Sequence, residues 1–474
     1  MSRENRISKE LPMGWKKVQI KDVAEKITDG EHFRPRTQES GIPFLSAKDV
    51  RDEGVSFDEP LFISEETATK AMLRCNPERG DILIVSRGAT VGRMCIVNAK
   101  RKFCLLGSVI LIKVKKSISS KFINYVLKSP IANQKMITVS GATAQQAIYL
   151  RDIKNISIPL PPLKEQQAIV SKIEELLSDL ENGKQQLQTA QQQLKVYRQS
   201  LLKWAFEGKL TNKKVKDGEL PKGWKWVKLG EEGKLVSGQH ILEKDYNFSK
   251  AGIPYFTGPA DFGNSFPSVS KWTIHPKVIA KKNDVLITVK GAGVGKINLM
   301  HIEEAAISRQ LMAFSSSKID SKYIYNFLSS RFHDFQRLGL GSTVPGIRRD
   351  IILNYQMPLC NVKEQQLIVN ELESKLTVCD KIEETISQSL KQAEMLRQSI
   401  LKKAFEGKLV AQNPNDEPAP KLLERIKAES QKNEVEKKKS RRDDMIIGKN
   451  QNTISNPEGV IYNGNNGNIS PLRG

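Results

Sequence analysis

The feature that most constrains this chain is that it is written twice. A duplicated pattern sets the architecture before any single motif is weighed, because each copy must bury the same faces. Leu11-Pro12-Met13-Gly14-Trp15 returns as Leu220-Pro221-Lys222-Gly223-Trp224, and Gly41-Ile42-Pro43-Phe44 as Gly252-Ile253-Pro254-Tyr255. Asp81-Ile82-Leu83-Ile84-Val85 returns as Asp284-Val285-Leu286-Ile287-Thr288, and Lys164-Glu165-Gln166-Gln167 as Lys363-Glu364-Gln365-Gln366. The offset is 209 at the tryptophan, 211 at Gly41, 203 at Asp81 and a steady 199 from Pro159 to Leu210. The front of each copy has drifted and the back has not, so the back does one job twice and the fronts do two different jobs.

In the back segment Ile169, Ile173, Leu176, Leu180, Gly183, Leu187, Ala190, Leu194, Tyr197, Leu201 and Trp204 follow the 4-3 spacing of a coiled-coil seam. The second copy repeats it from Ile368 to Lys403, weakened by Lys375 and Lys403, which predicts pairing with the first copy. Pro159, Pro161 and Pro162 exclude helix just upstream, and Asn361 with Glu364 has capping-box spacing. Gly208 and Gly407 stand where a helix-terminating glycine belongs. Each helix of about 45 residues would be about 65 Å long at 1.5 Å per residue. An antiparallel pair would give a pseudo-twofold internal repeat. The fronts mix short β-rich runs with one short helix each, Lys121 to Leu127 and Lys322 to Leu328, so the fold class expected is α+β. The expected division is a globular domain at 1–158, a helical region at 159–210, a second globular domain at 211–357, a second helical region at 358–410, and a largely disordered basic tail at 411–474.

With 474 residues the chain can form several domains. The 75 Lys and Arg outnumber the 53 Asp and Glu, leaving a formal charge of +22 that favours a polyanionic partner, nucleic acid before an acidic membrane surface. No apolar run approaches a bilayer span and no signal-peptide core follows Met1, so the expected compartment is the cytoplasm. The five cysteines are scattered without C-x-x-C spacing, as expected of reduced packing residues rather than a disulfide or zinc framework.

Residues 291–296 resemble a phosphate loop only superficially: the spacing is wrong and Ile297 stands where a metal-binding hydroxyl is required. Glu207-Gly208-Lys209 and Glu406-Gly407-Lys408 mimic part of a nuclease motif, but a helix terminus explains them better. Neither a methyltransferase tetrapeptide nor a local metal or triad pattern is present, so no catalytic residue and no metal ligand is assigned. What remains is DNA contact by matched polar, basic and glycine-containing loops. The candidates in the first copy are Gly30, His32, Arg34, Arg36, Arg87, Arg93, Thr143, Gln145 and Gln146. Those in the second are Gln239, His240, Lys244, Lys290, Lys296, Ser342, Thr343, Arg348 and Arg349. Gln, Arg and Lys can read base edges, while hydroxyls and cations position phosphates.

The Gly-Trp starts, the Asp29-Gly30-Glu31-His32 loop, the hairpin from Asp81 to Arg93, the Pro159 to Gln167 junction and the helix end from Ala205 to Leu210 recur in one order. In that order they resemble the DNA-specificity subunit of type I restriction-modification enzymes, over about residues 11–410. The resemblance implies two target-recognition domains joined by antiparallel helices, reading a bipartite double-stranded DNA site without catalysis of their own. It implies two methyltransferase (modification) subunits docked on the helices, with Glu165, Gln166, Phe206, Glu364, Gln365 and Phe405 as candidate contacts. Motor/endonuclease (restriction) subunits would join for cleavage. No cofactor would bind this chain directly; S-adenosylmethionine, ATP and Mg belong to the partners. The chain departs from the family pattern at Cys360-Asn361, where the first copy has Pro161-Pro162, and in its tail. A coiled-coil DNA tether without modification partners is the competing reading.

Overall fold

The computed structural model describes residues 11–130, 132, 136, 147–212, 214–291, 293–339, 346–429 and 431–432. Two compact units emerge, and they are not consecutive in sequence: unit 1 is Met1–Leu180 with Glu394–Gly474, and unit 2 is Glu181–Ala393. The expected boundaries at 158, 210 and 357 follow the chain, whereas both units cut through the long helices.

Head 1 runs through β1 (Lys16–Gln19), α1 (Ile20–Val23), β2 (Ala24–Asp29), β3 (Ile42–Leu45), β4 (Val50–Arg51), β5 (Gly54–Val55) and β6 (Leu61–Ile63). It continues with α2 (Glu65–Arg74), β7 (Ile82–Val85), β8 (Met94–Ile96), β9 (Cys104–Leu105), β10 (Val109–Val114), α3 (Ser120–Lys128), α4 (Leu150–Asn155) and β11 (Ser157–Leu160). The main sheet has the order β2-β10-β7-β8, and β7 reads as an uninterrupted apolar run because both of its faces are covered. Ile82 and Ile84 face a core with Phe122, Leu127 and Ile158, while Leu83 and Val85 face Leu45 and Phe103 beside the smaller sheet β6-β3-β9. β1 pairs antiparallel with β11, tying the entry of the head to its exit.

Head 2 repeats this plan with β12 (Lys225–Lys228), α6 (Leu229–Glu232), β13 (Lys234–Ser237), β14 (Ile253–Phe256), β15 (Trp272–Thr273), β16 (Ile279–Lys281), β17 (Val285–Thr288) and β18 (Ile297–Leu299). β19 (Glu304–Ile307), β20 (Leu311–Ser315), α7 (Ser321–Ser330), α8 (Phe332–Gly339), α9 (Arg349–Leu353) and β21 (Gln356–Leu359) complete it. Its sheets are β13-β20-β17-β18 and β15-β14-β19-β16, and β12 pairs with β21. The eight-residue fall in the repeat offset between Gly41 and Asp81 has a structural cause. Head 1 carries α2 there, where head 2 has β16 and no α-helix among the described residues.

The long helices are α5 (Leu163–Phe206) and α10 (Val362–Phe405). In unit 1 the start of α5, with Ile169, Val170 and Ile173, shares a core with the end of α10, Ile400, Leu401, Ala404 and Phe405. In unit 2 the roles reverse: Leu194, Leu201, Ala205 and Phe206 of α5 pack with Ile368, Leu372 and Cys379 of α10. The helices are therefore antiparallel.

The expected two-row seam is only half buried. In α10 Leu372, Cys379, Ile386, Ala393 and Ile400, seven apart, are all buried, whereas Ile382 and Leu396 of the second row are 44% and 52% exposed. In α5 Tyr197 and Trp204 are likewise exposed. Ile368 in the same row of α10 and Ile169 in the same row of α5 are buried, so that row is exposed along only part of each helix.

Both helices end at glycine with positive φ, Gly208 at +73° and Gly407 at +69°. A Cβ at Gly208 would lie 2.1 Å from Pro221 Cγ, and one at Gly407 2.3 Å from Pro12 Cγ, so each glycine is required by close packing as well as by its φ. The Asn361 cap has one arm: Asn361 Oδ1 accepts from Glu364 N at 3.0 Å, while the Glu364 carboxylate accepts from Asn212 Nδ2 at 2.8 Å.

The tail expected from 411 onward is ordered in its described part. Helix α11 (residues 419–429) buries Ala419, Leu422, Leu423 and Ile426 in the core of unit 1, and Ala419 N donates to Gly14 O at 2.8 Å. The sequence reading missed it because four apolar residues among many charges suffice for a helix that docks on a preformed core. The remainder of the tail, with its basic run from Lys437 to Arg442, lies outside the described residues.

Candidate nucleic-acid interface

In head 1 the loop leaving β2 is pinned at its base and open at its tip. Gly30 N donates to Val109 O and Glu31 N to Leu105 O, and a Cβ at Gly30 would lie 2.1 Å from Leu105 O. Gly30 is thus a close-packing glycine, buried rather than available to a phosphate. Beyond it His32, Phe33, Arg34 and Arg36 are exposed, Phe33 by 87%.

Arg74, at the end of α2, reaches this loop. Its Nη2 lies 2.5 Å from Asp29 Oδ1 and 2.6 Å from His32 Nε2, and its Nε donates to Asp29 O at 3.4 Å. Asp29, His32, Arg74, Ser86, Arg87 and Tyr149 line one cleft of about 350 Å³. Arg87 is exposed, and its backbone bridges Ala147 while Ile148 N donates to Ser86 O. The hairpin that carries it is therefore fixed to the end of the head. Arg74 was not a sequence candidate: its partners lie 42 and 45 residues away in the chain.

Arg93 belongs elsewhere. It lines a second cleft of about 660 Å³ with Thr90, Lys128 and, from α10, Arg397 and Gln398. Burial lowers the Lys128 pKa below the ordinary lysine range, and the nearby Arg397 acts in the same direction. The two arginines of one hairpin thus serve different surfaces.

In head 2 the matching loop is Ser237-Gly238-Gln239-His240. Gly238 is again held tightly, its missing Cβ 2.2 Å from Ser308 O, and Gln239 and His240 are exposed. Lys277 Nζ donates to His240 O at 2.9 Å. Lys244 is exposed on a short turn, Lys290 bridges Gly346 as Arg87 bridges Ala147, and Lys296 is exposed. Arg348 pairs with Asp350 at 3.0 Å and Arg349 is exposed. Thr143, Gln145, Gln146, Ser342 and Thr343 lie outside the described residues.

The residues expected to contact methyltransferase subunits lie where each head meets the long helices. Glu165, Gln166, Gln365, Phe206 and Phe405 are buried, and Glu364 is half-buried, so these side chains hold each head to its helices. Gln166 Oε1 accepts from Ser119 N and its Nε2 donates to Pro161 O. Gln365 does the same with Asp320 N and Cys360 O. Phe405 packs edge-on against Phe122, and Phe206 against Tyr323 and Phe327. Glu165 Oε2 accepts from Trp15 Nε1 at 3.0 Å, whereas Trp224 Nε1 has no partner among the described residues. The repeated strings are junctions, which is why they match so closely.

All five cysteines are free and buried. Burial pushes the thiols of Cys75, Cys95 and Cys360 up to about 12 and that of Cys104 to about 11, so these four remain protonated packing groups. The Glu-Gly-Lys strings are helix ends, with Lys209 paired to Glu207 at 2.6 Å and to Asp217, and Lys408 to Glu406 at 2.8 Å. No helix among the described residues is long and apolar enough to cross a membrane.

Two unlike heads on like helical junctions define a two-part recognition protein. The model of the type I restriction modification DNA specificity domain matches residues 12–189 and 221–392, and the chain belongs to that family. The putative type I restriction enzyme MjaX specificity subunit of Methanocaldococcus jannaschii is 27% identical over 416 residues, 84% of this chain and 95% of that protein. The type I restriction enzyme EcoKI specificity subunit of Escherichia coli K12 is 27% identical over 452 residues, 88% and 96% of the two chains. Among solved structures, a chain of a type I restriction-modification assembly matches with a TM-score of 0.70 at 23% identity, over 84% of this chain and 99% of that one. The HsdS subunit of Thermoanaerobacter tengcongensis matches at 0.62 and 23%, over 84% and 98%. The chain is accordingly a non-catalytic DNA-recognition subunit of α+β fold.

Proposed function

We propose that each head reads one half of a bipartite double-stranded DNA site, with the length of the intervening helices setting the unspecific spacer. The observation that carries this reading is the contrast between junctions and heads. The junction bonds of Gln166 and Gln365 are the same, while the recognition loops differ, with Asp29 and α2 in head 1 against Ser237 and β16 in head 2. Two similar junctions suit two copies of one partner, and two different loops suit two different half-sites. The partners are two methyltransferase subunits, joined by motor/endonuclease subunits for cleavage, and S-adenosylmethionine, ATP and Mg act in them. Exposed apolar residues along α10, Leu367 at 58%, Val378 at 54% and Met395 at 64%, favour protein docking over the partnerless tether. The compartment that fits DNA modification is the cytoplasm.

The deciding experiment maps adenine methylation in a host genome with and without this chain, alongside its neighbouring methyltransferase gene. A bipartite motif that disappears with the chain supports the reading and supplies both half-sites. An unchanged methylation pattern overturns it.

A further inference from the structure

We propose that His32 reads a base in the half-site of head 1, and that Arg74 is a positioning residue that fixes the His32 ring. The inference rests on the reading of head 1 as a DNA-recognition domain and deepens it. His32 Nε2 lies 2.6 Å from Arg74 Nη2 and 3.4 Å from Asp29 Oδ2, so the Arg74–Asp29 pair holds that edge of the ring. Arg74 is itself held by Asp29 through Oδ1 at 2.5 Å and the main-chain oxygen at 3.4 Å. Asp29 is 9% exposed at the end of β2 in the main sheet. The ring is thus braced from the sheet outward, yet the His32 side chain stays 44% exposed.

The other ring nitrogen, Nδ1, lies beside Gly107, where a Cβ would come within 3.4 Å of it, and Gly107 lines the same cleft as Arg87. A braced, partly exposed imidazole can hydrogen-bond a base edge, such as purine N7 or thymine O4 in the major groove. Phe33, exposed beside it, supplies an apolar contact surface. Head 2 has Ser237 in place of Asp29 and no α-helix in place of α2 among the described residues, so the device belongs to head 1 alone.

The test uses the full chain assembled with its methyltransferase partner on DNA libraries randomised across both half-sites, comparing the parent with H32A, H32Q, R74Q and R74K. His32→Ala is expected to cut discrimination about tenfold or more at one base pair of the head 1 half-site and to leave the head 2 half-site unchanged. Arg74→Gln should relax the same base pair although His32 is present, and Arg74→Lys, which can still pair with Asp29, should restore part of it. His32 lies on the surface, so H32A and H32Q keep the question answerable if an Arg74 variant fails to fold. Uniform weakening on all sequences, or relaxation by R74Q at a different base pair, overturns the assignment. A parent without bipartite recognition overturns the underlying reading as well, whereas an intact motif in H32A overturns this inference alone.

Discussion

Glu165 shows what a single buried carboxyl contributes. Burial raises its pKa above the ordinary carboxylate range, against the opposing effect of hydrogen bonds from Trp15 and Gln412. A carboxyl with a raised folded-state pKa binds its proton more tightly when folded, so its contribution is fully present below the unfolded pKa and is lost as pH rises through the folded value. Glu165→Gln keeps an acceptor for Trp15 Nε1 and removes the charge. Its melting temperature should equal or exceed that of the parent at pH 7, with the difference shrinking as pH falls toward 4.5; a gap that widens in acid would show that the charge itself stabilises the fold. Arg87 and Arg93 give a second prediction. Arg87→Glu should weaken DNA binding and flatten its salt dependence, while Arg93→Glu, which faces the cleft beside α10, should change the slope less. Salt titrations giving equal slopes for the two variants would refute the separation of these surfaces.

At the scale of elements, the helices were the most legible part of the sequence. Proline before them, glycine after them and a long 4-3 spacing leave few alternatives, and α5 and α10 run where that pattern places them. The exposure of part of one seam row was not legible, because spacing alone does not say how many neighbours a helix has. Helix α11 was invisible for a related reason: its apolar face has meaning only against the core that receives it. Leu422 is fully buried there, so Leu422→Ala should cost about 2–4 kcal/mol in unit 1. Hydrogen exchange should show lost protection in head 1 and unchanged protection in head 2. Equal loss in both would contradict the division into units.

For the whole molecule, exchanging residues 12–158 for another specificity subunit's first head should alter one half of the methylated motif and leave the other intact. Methylome sequencing that shows both halves altered would refute the two-reader arrangement. The internal repeat, read from the sequence alone, was enough to establish two heads of one α+β plan, two equivalent helices and their glycine ends, because duplication, periodicity and glycine conformation are local or self-referential properties. Only the tertiary structure decided that Glu165, Gln166, Gln365 and Phe405 bind head to helix, that Arg87 and Arg93 part company, and that Arg74 braces His32. Those outcomes depend on contacts between residues tens to hundreds of positions apart, and neither spacing nor composition says which distant side chains the folded sheets bring within hydrogen-bonding distance.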